Sequence, residues 1–341
     1  MRRTSILLAA LVVLAACGGS PGGTTDSTVP AGDATTVPAD ATPGEVTLLA
    51  YDSFTPAEGI FDAFERQTGA KVKVVTGGDS GSLISKAILT AGNPEGDVLW
   101  GVDNTTLSRA EGARLLDSYE PVDEGDVCVN YDKQWYASRG ITPPASLDDL
   151  VNPVYRGQLV VQDPVNSSPG LAFLMASVAK YGDGWTQWWA QLKENKVRIA
   201  ADWTAAYTVD FSGSSGKGKY PLVVSYGSSP PAEVLYAATP IDEPPTGVIE
   251  STCFRQTEYV GVLRGTRNPG LARALVDYLL DVPFQESMPL SLFVFPVNPQ
   301  AKLPELFARF AVRAVSPLTL DPDVIAANRD GWLDEWRAIA L

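Results

Sequence analysis

Three aspartates stand at the ends of strand-like stretches, at positions where α/β proteins commonly carry reactive or ligand-binding side chains. They are Asp52, Asp103 and Asp163. Because ligands in open α/β sheets lie beyond the carboxyl ends of the strands, these carboxylates could attract a cation or act as acid–base groups. The chain contains no histidine, which excludes serine–histidine and cysteine–histidine nucleophile pairs and histidine metal sites.

Aromatic residues could supply the second part of a site for a flat organic cation. Tyr51 and Tyr226 end apolar runs, and Trp203 and Tyr207 are four residues apart near a predicted helix start. An aromatic face contributes about 0.5–2 kcal/mol to the binding of a cation, depending on desolvation. The spacing of Trp203 and Tyr207 is equally typical of core packing on one helix face.

Serine- and glycine-rich junctions between predicted strands and helices could bind an anion. They cover residues 77–82, 166–170 and 225–229. Free backbone N–H groups and the positive end of a helix dipole suit a phosphate at such a junction. Ordinary helix capping by Ser and Asp is the favoured explanation for any single junction, whereas across the three junctions we expect at least one ligand contact. The sequence contains neither a P-loop nor a dinucleotide-binding fingerprint.

Composition and periodicity predict two α/β lobes. The chain has 341 residues, a length that suggests about two domains, and 45% of them are apolar. The net charge of −14 argues against nucleic-acid binding. Strand and helix patterns alternate, which is typical of doubly wound parallel sheets, and they restart after Pro143-Pro144. The predicted strands are 46–51, 71–75, 98–100, 159–161, 222–224 and 258–263, and the predicted helices are 60–68, 83–89, a short one from about 104, 171–179, 185–192, 270–281, 303–313 and 322–340.

Residues 1–17 predict an export signal. Two arginines precede an apolar run at 6–16, which is too short for a spanning helix of about 20 residues. The run ends in Leu-Ala-Ala-Cys, which resembles the bacterial lipoprotein box and predicts lipid attachment at Cys17; ordinary cleavage nearby is the alternative. Such lipid would hold the protein at the outer face of a membrane. Residues 18–44 contain only small or polar residues, Val and Pro, and predict a flexible linker.

Two cysteines remain beyond the signal. Cys128 and Cys253 lie in strand-like stretches, and an exported compartment permits a disulfide between them. Two separately buried thiols are the alternative. Three cysteines in the whole chain are too few for a four-cysteine zinc site.

Short motifs distributed over almost the whole body carry a family resemblance. They are Tyr-Asp-Ser-Phe at 51–54, Asp-Val-Leu-Trp-Gly-Val-Asp-Asn at 97–104, Gln-Asp-Pro-Val-Asn-Ser-Ser-Pro-Gly-Leu at 162–171, Asp-Trp-Thr-Ala-Ala-Tyr at 202–207, Ser-Tyr-Gly-Ser-Ser-Pro at 225–230 and Phe-Pro-Val at 295–297. Together they resemble the solute-binding proteins of ABC importers, specifically the thiamine-binding branch of the iron/thiamine/polyamine-type family. The block at 162–171 is similar to the wider family, whereas the first, second and fourth motifs indicate the thiamine branch.

The resemblance implies a two-lobed, periplasmic-binding-protein-like fold of type II, with hinge strands that pass twice between the lobes. It places the first part of lobe 1 at 45–127, lobe 2 at 128–253, and the return to lobe 1 with the C-terminal helices at 254–341. The implied ligand is thiamine, thiamine monophosphate or thiamine pyrophosphate, and the implied partner is an ABC permease. We expect an exported, monomeric binding protein that has no cofactor or metal and is not an enzyme.

The resemblance also implies roles for individual residues. Tyr51, Trp203 and Tyr226 would contact the rings of the ligand, and Asp52 or Asp103 would face the aminopyrimidine or the cation. Polar or phosphate contacts would come from Ser80, Ser82, Ser167 and Ser168. Tyr207 and Phe293 would make further contacts with the ligand.

Three positions depart from the family pattern and keep other functions open. Ala232 stands where a tyrosine is usual, Phe293 where a tryptophan is usual, and Glu124 replaces an aromatic residue in a shortened segment before Cys128. The departures at Ala232 and Glu124 favour, as a second hypothesis, another small cation or a phosphorylated compound in the same fold. A third hypothesis is an exported enzyme that uses Asp103 and Asp163 for acid–base chemistry. The chain has no Tyr-Tyr pair, so ferric iron is not the expected ligand.

Overall fold

The computed structural model describes residues 44–214 and 217–340. The predicted export signal, the lipidation site at Cys17 and nearly all of the predicted linker lie outside the described residues. Within the described part of the chain, no helix combines the length and the apolar character needed to cross a membrane.

One mixed sheet runs through the described residues. Its strand order is β2-β1-β3-β8-β4-β7-β5-β6, and β9 pairs with β4. The outer pairs β1·β2, β1·β3, β5·β6 and β5·β7 are parallel, as the strand–helix alternation predicts, whereas β8 and β4 join them through antiparallel pairs in the centre. The strands are β1 (Glu45–Ala50), β2 (Lys71–Thr76), β3 (Val98–Asp103), β4 (Leu116–Asp132), β5 (Leu159–Gln162), β6 (Arg198–Ala200), β7 (Leu222–Tyr226), β8 (Thr246–Leu263) and β9 (Phe295–Pro296).

Helices follow most of the parallel strands and cover both faces of the sheet. The first helix ends at Gly69, which has a left-handed φ of 71° and closes the helix as predicted. A π-helical turn covers Ala205–Asp210. The α-helices are α1 (Asp62–Thr68), α2 (Ser80–Leu89), α3 (Leu107–Gly112), α4 (Lys133–Arg139), α5 (Ser168–Tyr181), α6 (Trp185–Glu194), α7 (Pro230–Leu235), α8 (Pro269–Leu280), α9 (Val282–Ser291), α10 (Glu305–Phe310) and α11 (Pro322–Ala340).

Separate hydrophobic cores define two lobes. In the first lobe, the side chains of β1 and β3 pack against α8 and α9 on one face of the sheet, and against α2 and α3 on the other. In the second lobe, β5 and β7 pack mainly against α5 and α6. The long strands β4 and β8 contribute to both cores: Val122 and Val260 lie in the first, and Val127, Val129 and Phe254 lie in the second. These two strands therefore connect the lobes.

A disulfide joins the connecting strands. Cys128 of β4 is bonded to Cys253 of β8, with their Cα atoms 4.1 Å apart and a sequence separation of 125. Both cysteines are fully buried. The structure confirms the predicted disulfide, and the alternative of two separately buried thiols does not apply.

The C-terminal helix differs from the prediction. The sequence assigns residues 254–341 to the return to lobe 1, but Leu333 and Trp336 of α11 lie in the core of the second lobe. The ring of Trp336 meets the ring of Trp189 edge-on at 5.7 Å. The apolar stripe of α11 is evident in the sequence, but the stripe does not indicate which lobe it covers. The predicted lobe boundaries at 127 and 253 stay predictions.

Candidate ligand-binding site

A cavity of about 420 Å³ lies between the two lobes. The first lobe contributes the end of β1, the start of α2 and the segment after α9, and the second lobe contributes the π-helical turn, the end of β7 and α7. The connecting strands form its floor. The lining residues are Tyr51, Ser53, Thr55, Asp79, Ser80, Asp123, Gly125, Pro169, Trp203, Tyr207, Thr208, Ser214, Tyr226, Ser229, Ala232, Glu233, Tyr236, Gln256, Glu258, Ser291, Leu292, Phe293 and Val294.

Two buried carboxylates form the acidic floor of this cavity. Asp123 of β4 lies directly opposite Glu258 of β8 in the antiparallel register, so their β-carbons are about 5 Å apart. Trp100 Nε1 donates to Glu258 Oε2 at 3.0 Å, and the Tyr51 hydroxyl donates to the same oxygen at 3.4 Å. Asp123 Oδ2 is buried and accepts no hydrogen bond from a nitrogen or hydroxyl donor, and its carboxyl group is close enough to that of Glu258 for the two to share a proton. The floor therefore has an acceptor that a ligand can use.

The carboxylates of the cavity are held away from their ordinary titration range. Burial and the nearby Asp123 charge raise the pKa of Glu258 well above its usual value. Burial raises the pKa of Asp123 to about 7, and burial also raises the pKa values of Asp79 and Glu233. Among the described residues, no lysine or arginine lines the cavity. A bound cation would supply the missing positive charge.

An aromatic pair forms one wall. The rings of Trp203 and Tyr207 are stacked, with centroids 5.0 Å apart and planes at 12°. Trp203 Nε1 donates to Ser225 Oγ at 3.0 Å, and the Tyr207 hydroxyl donates to Glu233 Oε1 at 2.7 Å. Trp203 is half-buried and Tyr207 is buried, and both line the cavity. Tyr207 also belongs to a buried core cluster against which Trp203 packs, as the core-packing alternative predicts. Ligand contact by these two rings stays a prediction.

A second aromatic surface lies on the floor. Tyr226, the last residue of β7, lines the cavity beside the acidic pair. Gly125 of β4 makes room for this ring, since a β-carbon at that position would lie 3.0 Å from Tyr226 Cδ1. Burial and the neighbouring Glu258 charge raise the pKa of Tyr226, so this phenol stays neutral and can donate a hydrogen bond.

The mouth of the cavity carries a third aromatic group. Tyr236 lies one turn beyond Ala232 and its ring is 5.9 Å from the ring of Phe293. Tyr236 is 69% exposed, an unusual exposure for a tyrosine that lines a cavity. Phe293 has a left-handed φ of 56°, which a bulky residue rarely adopts. The aromatic surface missing at Ala232 is thus partly supplied from the next turn of the chain.

Asp103 and Ser168, both predicted to contact the ligand, do not line this cavity. Asp103 is fully buried, and its Oδ1 accepts from the Thr105 backbone N–H at 2.8 Å and from the Thr106 hydroxyl at 3.0 Å. Ser168 donates its hydroxyl to Asp103 Oδ2, which also accepts from Gln256 Nε2 at 3.1 Å. These two residues therefore tie the lobes together beneath the floor.

The other predicted polar residues take different positions. Ser80 lines the cavity, whereas Ser167 is buried at the start of α5. Asp52 and Ser82 line a neighbouring cavity of about 690 Å³. Asp52 Oδ1 accepts from the Gly78 N–H at 2.9 Å, which holds the loop before α2. Direct contact of these residues with a ligand stays a prediction.

Two residues named in the alternative hypotheses have structural partners. Asp163 closes the turn before α5, accepting from the Val165 N–H at 2.9 Å, and does not line the cavity. Glu124 contacts Arg313 and lies 3.9 Å from Arg255, outside the cavity lining. Within residues 44–214 and 217–340, no group of acidic residues and cysteines is arranged to hold a metal ion.

Backbone contacts close the lobes over the cavity. The Gly81 N–H donates to Asn166 O at 3.0 Å, and the Trp203 N–H donates to Asp79 Oδ2 at 3.1 Å. Each bond joins the start of α2 in the first lobe to a loop of the second. A β-carbon on Gly81 would lie 2.4 Å from Val165 O, so only glycine permits this approach.

Several cavity residues were not predicted from the sequence. They are Asp79, Asp123, Glu233, Tyr236, Gln256 and Glu258. One signal was available for Glu258 and Gln256: they lie inside the run 253–263, which is otherwise typical of a buried strand. Polar residues inside a buried strand cost free energy unless they have a partner or a ligand.

Two α/β lobes connected by a pair of long strands, with a ligand-sized cavity between them, define a solute-binding protein of the two-lobed type. The chain belongs to the bacterial extracellular solute-binding protein family, which it matches over residues 51–286.

Named relatives agree with this class. The chain is 29% identical to the thiamine-binding periplasmic protein of Salmonella typhimurium over 320 residues, which cover 86% of this chain and 92% of the relative. It is 28% identical to the thiamine-binding periplasmic protein of Escherichia coli with the same coverage. A solved periplasmic thiamin binding protein superposes with a TM-score of 0.77 at 26% identity, covering 87% of this chain and 96% of that one. Iron-bound HitA from Pseudomonas aeruginosa, at 18% identity and a TM-score of 0.69, shares the fold.

Proposed function

We propose that this protein captures thiamine in the cavity between its lobes and delivers it to an ABC permease. Thiamine has two flat rings, one of them a permanently charged thiazolium. The observation that carries the proposal is the buried Asp123–Glu258 pair, which lies in a cavity with aromatic walls and, among the described residues, no lysine or arginine. The similarity to thiamine-binding periplasmic proteins over 86% of the chain supports it.

Residues from both lobes would hold the ligand. Trp203 of the second lobe and Tyr51 of the first offer ring faces, and Tyr226 offers a face and a neutral hydroxyl on the floor. The free Asp123 oxygen and Glu258 are the groups suited to the cationic ring or to the amino group. Because the contacts come from both lobes, ligand and closed conformation would stabilise each other.

Isothermal titration of the purified soluble domain with thiamine tests the proposal. We expect one thiamine per chain, a raised melting temperature and no turnover of the ligand, since a binding protein saturates stoichiometrically. Absence of heat and of a thermal shift at millimolar thiamine would contradict it. Mass spectrometry of small molecules released from the purified protein would then identify another small cation or a phosphorylated compound, the second hypothesis that Ala232 and Glu124 keep open.

We further propose that the mature chain is anchored through lipid on Cys17, outside the cytoplasm and near its permease. The Leu-Ala-Ala-Cys motif and the membership in an extracellular family support this. Cys17→Ser should release the protein from the membrane fraction of a host that processes lipoproteins. Retention of the variant at the wild-type level would contradict the anchor without affecting the ligand proposal.

A further inference from the structure

Two aromatic side chains from different lobes meet at the mouth of the cavity. Tyr236 directly follows α7, Phe293 lies two residues beyond α9, and both line the cavity. Their ring centroids are 5.9 Å apart and their planes are inclined at 70°. Aromatic pairs attract each other in such an edge-to-face arrangement. The contact is therefore part of the cavity wall and also joins the two lobes.

The first lobe holds Phe293 in an uncommon backbone conformation. Leu292 and Val294, its neighbours in the chain, pack in the core of that lobe. The N–H groups of Leu292 and Phe293 both donate to Met288 O, at 2.8 and 3.0 Å, and Phe293 has a φ of 56°. Glycine is the usual residue at such a left-handed position after a helix. Backbone strain of this kind is common where a side chain serves a ligand site, which indicates a function for the Phe293 ring.

The second lobe holds Tyr236 through α7. The Tyr236 N–H donates to Ala232 O at 2.9 Å, so this residue continues the helix and lies one turn beyond Ala232. Glu233 of the same helix accepts from the Tyr207 hydroxyl at 2.7 Å, which ties α7 to the aromatic wall of the second lobe. Tyr236 remains 69% exposed, because its ring packs on Phe293 of the other lobe and not in a core of its own.

This ring contact is separate from the hydrogen bonds that join the lobes elsewhere. Those of Gly81 and Trp203 involve the start of α2. The ring contact instead involves α7 and the segment after α9. Opening of the lobes at the mouth must therefore separate the two rings, whatever happens at α2.

We propose that Tyr236 and Phe293 form an aromatic latch across the cavity mouth, and that Tyr236 is a positioning residue that slows release of the ligand. This inference rests on the proposed function. In the closed complex the rings must separate before the ligand can leave, so loss of the contact raises the dissociation rate. Capture of the ligand begins from open lobes, in which the rings are already apart, so the association rate changes little.

Stopped-flow fluorescence at increasing thiamine concentrations measures both rate constants in Tyr236→Ala. We expect the dissociation rate constant to rise about threefold to tenfold, as loss of one aromatic pair predicts, and the association rate constant to stay within about twofold of the wild type. Tyr236→Phe keeps the ring and should retain wild-type kinetics. Leu235→Ala is the matched control, because Leu235 is 42% exposed on the same helix and does not line the cavity.

Phe293→Leu tests whether the two rings act together, because leucine is apolar but has no aromatic face. We expect Tyr236→Ala to raise the dissociation rate constant much less in the Phe293→Leu background than in the wild type. An unchanged dissociation rate in Tyr236→Ala, an equal rise in Leu235→Ala, or independent effects in the double variant would overturn the latch and leave the proposed function standing. Absence of thiamine binding by the wild type would overturn both.

Discussion

Asp123 lies directly opposite Glu258 on the two strands that connect the lobes, and both side chains are almost fully buried. Such a pair is costly, because two carboxylates share a desolvated site in which the nearest donors are neutral. The pair lies on the floor of the cavity, within reach of a ligand and at the level of the hinge. The free energy of ionising it is therefore coupled to the charge of whatever binds there.

Glu258→Gln should weaken thiamine binding by about tenfold or more at pH 8. A unit charge about 5 Å from a cation contributes on the order of 3 kcal/mol at an effective dielectric constant of 20. Glutamine keeps an acceptor for Trp100 Nε1, so the fold should persist. Calorimetry on the variant measures the effect. Glu335→Gln, at an exposed position on α11, is the control and should bind like the wild type. Equal affinity in Glu258→Gln would show that this carboxylate does not attract the ligand.

The unliganded protein should become less stable as the pH rises from 5.5 to 8. The folded pKa of Asp123 is about 7 and that of Glu258 is also raised, both above the values of the unfolded chain. In this window the native state binds more protons than the unfolded state, so the free energy of unfolding falls with increasing pH. The charged groups facing the pair, Asp103 and Glu124, are acidic and do not reverse the sign.

Differential scanning calorimetry at several pH values measures this slope. We expect the melting temperature to fall measurably, at about 1–2 °C for each 1 kcal/mol in a protein of this size. Asp123→Asn removes one of the two protons involved and should flatten the dependence, and saturating thiamine should flatten it in the wild type. A melting temperature that increases over this range would contradict the raised pKa values of the pair.

The sequence predicts the outer parts of the fold well and its centre poorly. The strands β1, β2, β3, β5 and β7 and the helices α5, α6, α8 and α11 follow apolar periodicity, and each is present close to its predicted position. Strand β4 was not predicted beyond a short stretch at Cys128, because it carries many acidic residues and Pro121, which are rare in strands. Its neighbours β7 and β8 stabilise it from both sides.

The candidate site was predictable where it depends on single loops. Among the residues predicted to contact the ligand, those that line the cavity are Tyr51, Ser80, Trp203, Tyr207, Tyr226 and Phe293, and their contact with a ligand stays a prediction. The acidic pair could not be predicted, because it exists only through the register of two strands more than a hundred residues apart. The resemblance assigns Asp103 to the ligand, but in the structure its carboxylate accepts hydrogen bonds from nearby backbone, hydroxyl and amide donors and does not line the cavity.

Trp203→Ala should weaken thiamine binding by about tenfold or more and should remove much of the fluorescence change on binding. The half-buried indole lines the cavity, and loss of one ring contact costs about 1.4 kcal/mol or more. Trp188 is a poor control because it is buried in the core of the second lobe.

Trp135→Ala is the better control for Trp203→Ala, since Trp135 is half-buried on α4 and does not line the cavity. Fluorescence titration of both variants measures the dissociation constants. We expect the Trp135 variant to retain wild-type affinity and quenching. Similar losses in the two variants would indicate a general effect on folding rather than a ring contact by Trp203.

Gly81→Ala should weaken ligand binding without reducing the stability of the unliganded protein. The new β-carbon would lie 2.4 Å from Val165 O and 2.8 Å from Asn166 O, both backbone atoms of the opposing lobe. Overpacking of this size costs about 1–3 kcal/mol, and the cost applies only when the lobes are closed. When the lobes are open, alanine at this position stabilises α2 by about 1 kcal/mol relative to glycine.

Gly112→Ala is the control, because Gly112 also lies within a helix and nothing lies within 4 Å of the β-carbon that alanine would add there. We expect an affinity loss of about tenfold in Gly81→Ala and none in Gly112→Ala, by calorimetry, with melting temperatures at or above wild type in both. Wild-type affinity in Gly81→Ala would show that ligand binding does not require this contact between the lobes.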